Sequence, residues 1–248
     1  FGSSYLRPNP HQPFPRQPSE ELDDMSSDGL LTQRGPDGIP EKSDYDGFAP
    51  EPKNLFVIYT SFMLVFASLG VALGLALLFF VHERKQSERF QFICRFDLGP
   101  LYVGLFICKV CFQLINANLG TARRRTKVNV PDQHVYQVFG GPADKSLVMM
   151  VEEGDLGKFN RAQRGLANLG EYLPLFVAEM LLAGFVFPWE VMVITILFSC
   201  ARLLGAIKYT ADRKARMTGN MLGMVMMGLL DGLLLVVGVK AICTPKAA

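Results

Sequence analysis

The run Leu55–Val81 constrains this chain more than any other stretch, because its 27 residues carry no formal charge. As a helix it would be about 40 Å long, enough to cross the ~30 Å hydrocarbon core of a bilayer with some tilt. Four more apolar runs follow: Leu98–Thr121, Phe159–Phe187, Val191–Ile207 and Met217–Ile242. Half of the 248 residues are hydrophobic and the mean hydropathy is +0.22, above what a soluble domain usually needs. The chain therefore reads as an all-α integral membrane protein with five spans. Gly70 and Gly74, beside Ser68 and Ala72, form a small-residue face on the first span that another helix could approach closely.

Charge divides the chain further. Residues 1–53 hold ten acidic against five basic residues, with abundant Pro and Ser and few large apolar side chains. Such a segment cannot bury enough surface to fold alone and is expected to be an extended tail. Its acidity does not suit a transit peptide, while the first residue, Phe1, fits either a removed targeting peptide or an incomplete sequence. Residues 54–85 hold the first span and 97–243 the other four, with His82–Arg95 expected as a basic, polar connection. Within the larger region, residues 132–158 form a polar excursion. There HVYQVF and SLVMMVE flank GGPADK, which predicts a short hairpin. The GGPADKS wording lacks the glycine before the lysine that a phosphate loop needs, so it reads as a turn.

The five cysteines lie in or beside apolar segments, which excludes a secreted disulfide framework and predicts free thiols. Cys108 and Cys111 spell C-x-x-C without a second pair or a neighbouring histidine, so they are read as small packing residues, not as a metal or redox site. Lys109 and Asp231 fall near the middle of their spans and are expected to form a buried ion pair. Counting crossings gathers the tail, Arg123–Lys127, the hairpin, Arg161, Arg164 and Lys208–Arg216 on one side. The excess of positive charge assigns that side to the cytosol, matrix or stroma.

The most informative polar pattern opens the third span. In FNRAQRGLANLGEYLPLF, residues 159–176, Arg164, Asn168, Glu171 and Tyr172 stand at i, i+4, i+7 and i+8, so all four share one helix face. A polar stripe entering a membrane is costly unless it meets a neighbouring helix or a polar ligand. Taken one at a time, these residues have plain roles as headgroup contacts, belt aromatics or helix contacts.

Three segments together resemble the MAPEG family, the membrane-associated proteins in eicosanoid and glutathione metabolism. They are TARRRTKVNVP at 121–131, FNRAQRGLANLGEYLPLF at 159–176 and ARLLGAIKYTADRKARM at 201–217. The wording is most similar to the leukotriene-forming synthase and microsomal glutathione transferase branch. The resemblance implies a four-helix bundle, usually a homotrimer, holding glutathione between adjacent subunits at the membrane surface. By that resemblance Arg123, Arg164, Asn168, Glu171, Tyr172 and Tyr209 would bind the peptide, and Arg216 would stabilise its thiolate. Leu166 replaces a glutamine often found in the family, and Gly205 stands where synthase members carry a tyrosine. Both changes weaken the expected glutathione contacts. The first span has no counterpart in the usual four-helix members.

Three functions are compatible with this reading. One is a transferase or peroxidase that brings glutathione to a lipophilic electrophile or lipid hydroperoxide entering from the bilayer. Another is a non-catalytic subunit of a larger organellar membrane complex, with unlike partners on the tail and the extra helix. A narrower one is a lipid-presenting protein. No nucleic-acid partner and no metal is expected. The start at Phe1 points to a mitochondrial or plastid membrane, with the endoplasmic reticulum as the alternative.

Overall fold

A computed structural model describes residues 39–45, 47, 54–80, 84–139 and 147–244. The chain divides into two units, residues 1–42 and 43–248, and the architecture below belongs to the second. The expected tail lies largely outside the described residues, as does the GGPADK turn. Six α-helices and one hairpin are described: α1 Leu55–Phe80, α2 Arg84–Arg95, α3 Gly99–Thr126, β1 Tyr136–Phe139, β2 Leu147–Met150, α4 Gly154–Gly184, α5 Pro188–Ala211 and α6 Arg216–Cys243. All but α2 are long and apolar enough to cross a membrane.

The helix ends follow local chemistry. Pro100 and Pro188 occupy first-turn positions of α3 and α5, where a missing N–H costs nothing. Lys127 closes α3 in a left-handed conformation, φ 55°, with its N–H directed at the Arg124 carbonyl. Pro174 lies inside α4 without ending it, as surrounding helices permit in a bundle of this kind. The chain from 84 to 95, expected as a connection, is instead a helix. Its Arg-Lys-Gln-Ser-Glu-Arg opening consists mostly of good helix formers, and polarity alone does not break a helix at a water interface. Phe92 packs on Phe96 at 4.8 Å, and Phe96 stacks on Phe185 at 5.9 Å, so this end is tied to the α4–α5 turn.

Helices α3 to α6 form the bundle. Its core runs through Cys108 and Ile115 of α3, Phe176 and Met180 of α4, Phe198 of α5 and Leu230 of α6. The Phe176 and Phe198 rings stack at 4.0 Å. Burying side chains of this size contributes on the order of 2 kcal/mol each relative to water. Cys108 and Cys111 are buried within this core and unoxidised, and Cys111 donates to the Ser199 carbonyl at 3.3 Å. They are packing residues.

α5 and α6 approach most closely where Gly205 faces Gly219. A β-carbon on Gly219 would lie 2.3 Å from the Gly205 Cα and 2.7 Å from the Ala201 carbonyl oxygen. This crossing gives the physical reason for Gly205: a tyrosine there has no room against the α6 backbone.

α1 joins the bundle mainly along α3. Leu55 is buried, and Tyr59 sits over Gly120, whose missing side chain lets the ring approach. A β-carbon at Gly70 or Gly74 would meet nothing within 4 Å, so among the described residues no helix packs on that face. The expected Lys109–Asp231 pair does not form. Asp231 lies against the buried Glu179 of α4, while Lys109 borders a groove beside α1. The reason is rotational: α6 packs on α5 and α4, whereas Lys109 occupies the α1-facing side of α3.

The hairpin forms as expected, antiparallel, with Tyr136 opposite Met150 and Phe139 opposite Leu147. Asn160 of α4 anchors it from a buried position. Its Oδ1 accepts from the Val135 N–H at 2.8 Å, and its Nδ2 donates to the carbonyls of Val135 and Val151 at 2.8 and 2.9 Å.

Candidate functional site

The expected site residues gather at the end of the bundle where α4 and α6 begin and α3 and α5 finish, though they do not form one constellation. Asn168 of α4, Arg202, Gly205 and Tyr209 of α5, and Arg216 and Asn220 of α6 line a common indentation. The close Gly205–Gly219 crossing holds α5 and α6 near enough for their polar residues to share it. The Arg216 guanidinium lies 5.6 Å from the Tyr209 ring centre. Among the described residues Arg216 has no hydrogen-bonding or ion-pair partner, and it is exposed. A cation in this state can meet an incoming anion without first breaking a contact.

Arg164 and Glu171 pair across two turns of α4 at 3.7 Å, both about half exposed. An exposed pair of this kind adds little stability, so its members are available to other partners. Tyr172 lies under the guanidinium of Arg202, 5.2 Å from the ring centre, and Arg202 Nη1 donates to Asn220 Oδ1 at 3.5 Å. Arg202 therefore links the Tyr172 side of α4 to the indentation. Neither it nor Asn220 was singled out in the sequence. The available signal was spacing: Arg202 is seven residues before Tyr209, and Asn220 four after Arg216, each on the same helix face as its neighbour.

Arg123 stands apart. It is buried, its Nη1 donates to the carbonyls of Val128, Asn129 and Asp132 at 3.2, 3.3 and 2.7 Å, and its Nη2 donates to Gln163 Oε1 at 3.2 Å. Phe159 lies under it at 5.1 Å. Chain 43–45 closes over the same region: the Asp44 N–H donates to Asn129 Oδ1 at 3.0 Å, and Tyr45 meets Tyr59 edge-on at 6.4 Å. Burial, and then the neighbouring Tyr59, push the Tyr45 hydroxyl up to about 12. Arg123 thus folds the 128–132 loop onto α3.

Arg161 has a similar structural task. It donates to the Tyr209 and Thr210 carbonyls at the end of α5 and to the Glu152 carbonyl beside the hairpin, where a cation also suits the helix dipole. Glu152 and Arg213 form an ion pair next to it. Asn118 donates to Thr210 Oγ1 at 2.9 Å, tying α3 to the same end. His134, just before β1, lies near Arg164 and Arg123, and its Nε2 is buried without a hydrogen bond. Burial first, then the positive field of Arg164 and Arg123, holds its imidazole below its ordinary value. The hairpin insertion therefore comes up beside Arg164. Leu166, where the resemblance leads one to expect glutamine, packs into the apolar core.

Fold and site together define the class: an all-α integral membrane protein with an arginine-rich polar site at one end of a four-helix bundle. The MAPEG family model matches residues 100–236, more than half of the chain, and the chain belongs to the MAPEG family. No curated protein matches it. The match begins in α3 and ends in α6, so it takes in all but the last turns of the bundle and leaves α1 and α2 outside.

Proposed function

We propose that this protein binds glutathione at the α4–α6 end of the bundle and uses it as a transferase or peroxidase on a lipophilic electrophile or lipid hydroperoxide. The observation that carries the reading is the joint placement of Asn168, Arg202, Tyr209 and Arg216 around one indentation, with Arg164, Glu171 and Tyr172 on the adjoining open face. The donor set fits the peptide: fixed guanidinium groups suit its two carboxylates, and Glu171 suits its ammonium. Within one chain the indentation encloses only about 10 Å³. A tripeptide must therefore lie along the open face, where a second copy would close over it. That requirement supports the homotrimer that is general in the family.

Arg216 is the group assigned to the thiol. A free thiol titrates near 8.5, and lowering it by about two units takes roughly 2.7 kcal/mol of preferential thiolate stabilisation, within reach of one desolvated guanidinium. In the transferase reaction the thiolate sulfur forms a bond to the electrophilic carbon, and the leaving group departs with the electron pair. In the peroxidase reaction two glutathiones are oxidised to their disulfide while the hydroperoxide is reduced to an alcohol and water. The lipophilic partner reaches the sulfur from the bilayer. The synthase and microsomal transferase branch is the part of the family this reading fits best.

The test is glutathione binding by calorimetry on detergent-purified protein, followed by loss of thiol with 1-chloro-2,4-dinitrobenzene. Binding and turnover in wild type, with turnover reduced about 100-fold in Arg216→Ala, are expected. Absent binding, or an Arg216→Ala variant as fast as wild type, overturns the assignment.

One observation favours a second reading, a non-catalytic subunit of a larger complex. Arg123, a family glutathione position, is already engaged by three carbonyls and Gln163 and is overlain by residues 43–45. Native mass measurement separates the two: a homotrimer supports the enzyme, whereas one copy among unlike chains supports the subunit.

A further inference from the structure

A groove lies between α1 and α3, lined by none of the residues that line this site. It encloses about 800 Å³. That volume falls within the range of roughly 300–1,000 Å³ usual for small-molecule sites. Its walls are apolar and aromatic, with Phe62, Phe66 and Ala67 from α1 and Phe106 from α3, and the Phe62 and Phe66 rings stack at 6.4 Å. Three side chains bring polar groups to this surface: Tyr59 of α1, Lys109 and, one turn further along α3, Gln113.

The lysine needs an explanation. Lys109 is about 15 Å of helix from Gly99 and about 21 Å from Arg123, which places its Cα deep in the hydrocarbon layer. Among the described residues no carboxylate pairs with it, and the acidic residue once expected to do so, Asp231, faces Glu179 instead. An ammonium at this depth is costly without a counter-charge. Phospholipid phosphates stay at the membrane surface and do not come down to it. A single-chain amphiphile inside the bilayer can bring a carboxylate there.

We propose that the α1–α3 groove binds a long-chain carboxylate, a free fatty acid, with its carboxylate on Lys109 and its chain along Phe62, Phe66 and Phe106. One carboxylate oxygen meets the ammonium, and the other accepts from the Gln113 amide, whose i+4 spacing puts it on the same face. The apolar chain then takes the place of bilayer lipid against the aromatic walls. α1 lies outside the family match, so one wall of this site comes from the part of the chain that the four-helix bundle lacks, and the other from α3 within it. None of its residues lines the glutathione indentation, and the proposal stands whether or not glutathione binds.

The experiment uses delipidated, detergent-purified protein and the fluorescent fatty acid cis-parinaric acid, compared with its uncharged methyl ester. Saturable binding of the acid, at least about tenfold tighter than the ester, is expected for a charge-assisted carboxylate contact. Lys109→Gln should bring that preference below about twofold, Lys109→Arg should retain it, and Ala67→Trp should abolish binding of both by filling the groove. Should Lys109→Gln fail to fold, Gln113→Leu carries the test, with an expected loss of about fivefold for the acid and none for the ester. Equal binding of acid and ester by wild type, an undiminished preference in Lys109→Gln, or occupancy by phospholipid alone each overturns the proposal. Glutathione binding measured on the same samples should be unchanged in Ala67→Trp, which separates failure at this groove from failure of the glutathione reading.

Discussion

Arg123, near the end of α3, and Arg216, at the start of α6, lie on the same face of the membrane, and both belong to the expected glutathione set. The structure puts them in opposite conditions. Arg123 is buried and donates to the carbonyls of its own loop and to Gln163, whereas Arg216 is exposed and, among the described residues, has only the Tyr209 ring as a recorded side-chain partner. Residue type and family position are thus a poor guide to availability. What separates the two arginines is the loop after α3, whose carbonyls turn back onto Arg123, while the chain before α6 offers Arg216 nothing comparable.

This contrast can be broken by experiment. Arg123→Ala removes four hydrogen bonds and strands the carbonyls of the 128–132 loop. A loss of about 3 kcal/mol in stability is expected, read as a fall in melting temperature. A wild-type melting curve would return Arg123 to the ligand-binding set. Arg216→Ala should behave in the reverse sense, with an unchanged melting temperature but thiol turnover about 100-fold lower.

Gly219→Ala tests what positions Arg216. The added methyl collides with the α5 backbone and should cost about 1–3 kcal/mol while also loosening glutathione binding. The smallest effect concerns His134. Its folded-state value is held below the ordinary ~6.5, so its contribution is present above that pH and is lost as the pH falls through the lowered value. Melting curves between about pH 7.5 and 4.5 should show an acid-side decline that His134→Phe flattens.

The spans were legible in the sequence because hydropathy is a local property: Leu55–Val81 and α1 differ by a single residue at one end. The hairpin was legible for the same reason, since two short apolar runs separated by a Gly-Pro stretch need no distant partner to be recognised. α2 was missed because a charged run was taken for a connection, although nothing in Arg-Lys-Gln-Ser-Glu-Arg opposes helix. At the site, spacing correctly put Arg164 and Glu171 on one face, which their 3.7 Å contact shows. Spacing could not give the rotation of one helix against another. That rotation separates Lys109 from Asp231, brings Arg202 over Tyr172, and turns Arg123 inward. Cys108 and Cys111 show the complementary case, in which burial within an apolar span was already visible in the chain.

Among the described residues, the helices long and apolar enough to cross the membrane number five, which is odd. The residues just before α1 and the residue that follows α6, Thr244, therefore emerge into different aqueous compartments, and Gly47 shares its compartment with Arg164 and Arg216. A protease added to sealed vesicles would reach one terminus and spare the other. Whichever is cut reports, without any ligand, from which compartment a water-soluble thiol peptide would have to arrive.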